Sequence, residues 1–175
     1  VLLENSAADE SGIFKSRNFT VQVGRVCEGH YDVVLKSRLS KSEALIWESF
    51  WGDVSVKFSK NERYLALTDS MRFGVMSPVI VYRIEGDTAV PIYQTPSCFS
   101  AEDASFTYDS GEFTDDELEI KVYKNLRNTD SSRPKRILAF TYTINNLSKR
   151  QTFAPYFYKD DSSLDEFGGI PRTKN

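Results

Sequence analysis

The chain has 175 residues, 40% of them hydrophobic and 27% charged, with a formal net charge of −3. That balance fits one folded domain rather than a disordered chain, and a weakly acidic total without a Lys/Arg cluster offers no phosphate-binding face for nucleic acid. No run approaches the roughly 20 apolar residues that a membrane-spanning helix needs.

The aromatic share of 13%, mostly 12 Phe and 9 Tyr, suits half-buried pleated surfaces. The chain opens on Val1-Leu2-Leu3 rather than Met, which fits either a removed leader or a trimmed start. Residues 1–12 are small and polar and are expected to trail as a flexible arm. A single domain is expected over residues 13–160.

From Phe19 to Val26 the pattern alternates, with Phe19, Val21 and Val23 on one face and Thr20, Gln22 and Gly24 on the other. Period two marks a strand with one wet face. Asp32–Lys36 and Ala44–Glu48 are the next strand candidates, separated by a turn or short helical cap at Ser40–Glu43. Leu39–Ser49 is also the one fair helix candidate in the chain.

The clearest unit runs from Asp53 to Gln94. Val54, Val56 and Phe58 alternate, Ser59-Lys60-Asn61-Glu62 forms a turn, and Tyr64–Thr68 forms a strand. A loop over residues 69–77 carries Met71, Phe73 and Met76. Val79–Ile84, a tight turn at Glu85-Gly86-Asp87, and Ala89–Tyr93 complete an antiparallel meander, with Pro91 placing the last strand at an edge. Strands are expected again at Ala104–Tyr108, Glu117–Lys124, Ile137–Ile144 and Gln151–Tyr158. An excursion separates them at Leu126–Lys135. Residues 161–175 are expected to form a second flexible arm.

The stretch from Val56 to Leu67, with Phe58-Ser59-Lys60-Asn61-Glu62 leading into Leu65-Ala66, resembles the Phe-Ser-x-Asn/Asp-Gly-x-x-Leu-Ala hairpin of β-propeller blades. Glu62 stands where that family prefers Gly. A closed propeller needs at least about four blades, more than this length holds. The expected fold is therefore all-β: antiparallel meanders forming a two-sheet sandwich or an incomplete propeller-like array, with at most one short helix.

Catalytic candidates are sparse. The single histidine, His30, lies in Cys27-Glu28-Gly29-His30 and reads as an exposed turn residue; alone, it argues against a catalytic triad or a multi-histidine zinc site. Asp109-Ser110-Gly111-Glu112 and Asp160-Asp161-Ser162 are acidic enough for calcium but match no EF-hand loop. Phosphate loops, dinucleotide fingerprints and nucleophile elbows are missing. No cofactor is expected. Asn18-Phe19-Thr20 and Asn146-Leu147-Ser148 are sequons, read here as chance matches.

Cys27 and Cys98 are expected to form a disulfide, closing a loop of about 70 residues and removing about 4 kcal/mol of unfolded-chain entropy; the alternative is two unpaired buried thiols in a cytosolic protein. With the disulfide, the expected compartment is extracytoplasmic, periplasmic or secreted. The functional expectation is a non-enzymatic binding protein, an inhibitor or immunity-type protein in its most concrete form, gripping another protein through the apolar loop of Met71, Phe73 and Met76. The alternative is glycan binding by Trp47, Trp51 and Tyr82 on one exposed face.

Overall fold

The computed structural model describes residues 12–49, 52–70, 78–95, 104–126 and 135–153. Three antiparallel sheets follow one another along the chain. The first holds β1 (Ile13–Lys15), β2 (Phe19–Cys27), β3 (His30–Ser37) and β4 (Glu43–Ser49) in that order. The second holds β5 (Val54–Phe58), β6 (Tyr64–Asp69), β7 (Val79–Glu85) and β8 (Thr88–Gln94). The third holds β9 (Ala104–Phe113), β10 (Leu118–Leu126) and β11 (Lys135–Ile144), with β10 central. A single 3₁₀ turn at Leu147–Lys149 is the only helical piece among the described residues. The expected all-β architecture of meanders is what forms, and none of the sheets closes into a barrel.

The second sheet is the middle layer. Leu65 and Leu67 of β6 pack with Val21, Val33, Leu35 and Trp47 of the first sheet. Tyr64 and Ala66, the intervening residues, pack with Leu118, Ile120 and Val122 of the third. Successive side chains of a strand point to opposite faces, so a strand covered on both sides must be apolar without alternation. That is why β6 is buried along its whole length while β10 alternates buried and half-buried positions. The first strands of the sheets, β1, β5 and β9, run past one another in turn.

Residues 53–94 form the complete meander β5–β8, and Pro91 lies in the edge strand β8. Glu62 adopts a left-handed backbone, φ 55°, a region that favours glycine. Of the two readings of residues 39–49, the strand at Ala44–Glu48 forms, as β4, and the helix candidate over Leu39–Ser49 does not: a turn leads into β4. Val33 pairs with Trp47 and Val34 with Leu45, leaving Ile46 as an extra residue. This bulge lets Ile46 and Trp47 both enter the core. Two adjacent inward residues break period two and imitate helical spacing.

Four expectations reach beyond the described residues: most of the loop at 69–77, the excursion at 126–135, most of the strand at Gln151–Tyr158, and the arms.

Candidate functional site

Asp69, at the end of β6, is 3% exposed and ties the first two sheets together. Its Oδ2 accepts the indole N–H of Trp47 at 2.8 Å and its Oδ1 accepts the Ser49 hydroxyl at 3.0 Å. Burial pushes the Asp69 carboxyl up. The bonds from Trp47 and Ser49 oppose this without cancelling it, and the charge of Asp53 adds to the rise. Beside this hub, Tyr82 is 1% exposed and its hydroxyl donates to the Ile46 carbonyl at 2.8 Å. Burial holds that phenol firmly neutral.

These positions correct the aromatic expectation. Trp47 and Tyr82 fill the core, since each buries a large ring and finds a partner for its one polar atom. Buried in this way, neither Trp47 nor Tyr82 is open to stack on a sugar. Trp51, Met71, Phe73 and Met76 lie outside the described residues.

Cys27 is an exposed, free thiol at the end of β2. The bond expected to Cys98 is not found, Cys98 itself lying outside the described residues. Asp109–Glu112 is no calcium loop. It lies within β9, where the Lys57 ammonium donates to the carbonyls of Ser110 and, at 3.2 Å, Gly111. A cation of the protein already occupies that position. Asn18 has its side-chain amide bonded to Glu62, and Asn146 takes the left-handed conformation, φ 57°, at the start of the 3₁₀ turn. Both sequons thus have local structural reasons for their Asn.

His30 differs most from its expectation. It opens β3, and its Nε2 lies 3.1 Å from Asp32 Oδ1 and 3.5 Å from Glu48 Oε1. His30 and Asp32 share a face because they are two residues apart on one strand, and Glu48 is the register partner of Asp32 on β4. The spacing His30-x-Asp32 was visible in the sequence. The third member needed the β3–β4 register, which the bulge at Ile46 shifts by one.

A second surface feature lies on the third sheet. β11 is an edge strand, and Ile137, Leu138 and Phe140 along it are 41%, 50% and 55% exposed. Most of the strand is open to solvent. Phe140 faces Val122 in the register, and Tyr142, two residues on, bonds hydroxyl to hydroxyl with Tyr93 of β8 at 2.8 Å. One end of β11 is therefore anchored to the middle sheet, and the other carries no covering strand among the described residues. Compared with protein-family models, curated proteins and solved structures, the chain matches none of them.

Proposed function

We propose that this is a non-enzymatic protein-binding domain whose third sheet takes an extended segment of a partner along β11. The observation that carries the reading is the edge strand β11, unpaired on its outer side among the described residues, with three exposed apolar side chains, Ile137, Leu138 and Phe140. An unpaired edge presents a row of main-chain donors and acceptors, and a strand added there gains ladder hydrogen bonds while apolar neighbours supply specificity. Among the described residues the first two sheets have four strands each and the third has three, and a partner strand beside β11 would give the third sheet a fourth. Exposed Lys135 and Arg136 at the start of β11 favour a segment with acidic residues at that end.

The reading treats the consecutive meanders as blade-like, in keeping with β1, β5 and β9 running past one another, and places the protein outside the cytoplasm. Cell fractionation tests the location. The binding claim is tested by affinity capture from the source extract with the wild-type chain and with the double variant Leu138→Lys/Phe140→Asp as bait. Recovery of a partner by the first bait only is the expected result. Equal recovery by both would place binding elsewhere.

A further inference from the structure

The geometry points to a binding site for a divalent transition-metal cation of the zinc class on the outer face of the first sheet, with His30, Asp32 and Glu48 as ligands. One ligand atom from each residue lies within 4.8 Å of the other two. Metal–ligand bonds of about 2.1 Å place neighbouring ligand atoms about 3.0 Å apart in an octahedron and about 3.4 Å apart in a tetrahedron. The separations of 3.1 and 3.5 Å from His30 Nε2 fall at those edges. An imidazole nitrogen beside two carboxylates suits zinc, cobalt or nickel better than calcium or magnesium, which favour oxygen alone.

Two further observations call for a cation there. Asp32 and Glu48 are direct cross-strand partners, and like charges so placed repel. Among the described residues no Lys or Arg forms an ion pair with either; His30 is their shared partner. On the other side of Asp32, the register partner is Gly24 of β2. Its backbone is not left-handed, and a Cβ built there would meet nothing within 4 Å. Neither conformation nor crowding demands glycine in the interior of this strand. Strand glycines occur at bulges, and β2 has one between Arg25 and Cys27, and where a ligand or another backbone comes close. Here Gly24 leaves open space beside the three side chains for the remaining coordination positions, which water or a partner's side chain would fill.

The test uses the untagged full chain, stripped with chelator and titrated calorimetrically with Zn²⁺ and Co²⁺, with Ca²⁺ and Mg²⁺ for comparison. One equivalent of Zn²⁺ or Co²⁺ should bind in the micromolar range, and Co²⁺ should develop a visible ligand-field spectrum. His30→Ala and Glu48→Gln should each weaken binding at least tenfold while the circular dichroism spectrum stays that of the wild type. Gly24→His, supplying a fourth ligand, should tighten it at least tenfold. Cys27→Ser should leave affinity unchanged. An absence of binding at millimolar metal, an affinity that His30→Ala does not lower, or a loss on Cys27→Ser would each overturn the assignment.

Discussion

Glu62 grips Asn18 from the neighbouring sheet: its Oε1 accepts the Asn18 main-chain N–H at 2.9 Å and its Oε2 accepts the side-chain amide at 2.6 Å. Asn18 precedes β2 of the first sheet, and Glu62 ends the β5–β6 turn of the second. Burial pushes the Glu62 carboxyl up, but hydrogen bonds from Ser16, Asn18 and Arg17 outweigh it and hold the group below its ordinary value.

A carboxyl held low in the folded state stabilises the fold above its unfolded pKa, and this contribution is lost as pH falls through the folded value. Glu62→Ala should therefore cost about 1–3 kcal/mol at neutral pH and flatten the acid limb of the stability–pH curve. Glu62→Gly should cost about 1 kcal/mol less than Ala, because glycine tolerates the left-handed backbone. Urea unfolding between neutral and acid pH measures both. Equal losses for Ala and Gly would contradict the strain at Glu62.

Asp69 carries the opposite sign. Its folded pKa is raised, so its favourable contribution is fully present below the unfolded value and is lost as pH rises through the folded one. Asp69→Asn should be neutral or stabilising by about 1 kcal/mol at pH 7, since an amide can accept from Trp47 and donate to Ser49 without a buried charge. Asp69→Ala should cost about 2–4 kcal/mol by removing the acceptor of the indole N–H of Trp47 and of the Ser49 hydroxyl proton. Thermal or denaturant unfolding of the two variants separates these outcomes, and Asn as damaging as Ala would contradict the account.

Gly52 and Gly86 have nearly the same backbone, φ 69° and 63°, in very different surroundings. A Cβ on Gly52 would lie 2.7 Å from the Tyr31 ring, whereas one on Gly86 meets nothing within 4 Å. Gly86→Ala should cost about 1 kcal/mol from backbone strain alone. Gly52→Ala should cost about 1–3 kcal/mol more from overpacking. The difference in urea midpoint reads the crowding directly, and similar midpoints would contradict it.

Thr68 is 2% exposed, and its hydroxyl finds no hydrogen-bond partner among the described residues. Thr68→Val replaces it with a methyl of the same shape and should stabilise the fold by about 1 kcal/mol. A loss of stability measured by calorimetry would show that the hydroxyl is satisfied in solution.

Much of the fold was legible because sheet faces write their pattern directly into the chain. Phe19–Val26, Tyr64–Thr68 and Val79–Ile84 lie within strands close to the expected bounds. In the first sheet the strand at Ala44–Glu48 was legible, but the bulge at Ile46 broke its alternation and left a helix candidate beside it. The candidate sites were harder. Trp47 and Tyr82 each carry one polar atom, and whether such a residue lies in the core or on the surface depends on a partner far along the chain, here Asp69 and the Ile46 carbonyl. His30 gains its two carboxylates through strand register, and the β11 edge is open because no strand among the described residues pairs with its outer side. Neither property belongs to any local stretch of sequence.

Hydrogen exchange on the captured complex tests the central claim most directly. With the partner bound, the main-chain amides of β11 over residues 135–142 should slow markedly, while those of the middle strand β6, already buried, should stay unchanged. Unaltered exchange along β11 in a stable complex, with protection at another surface, would contradict binding at this edge.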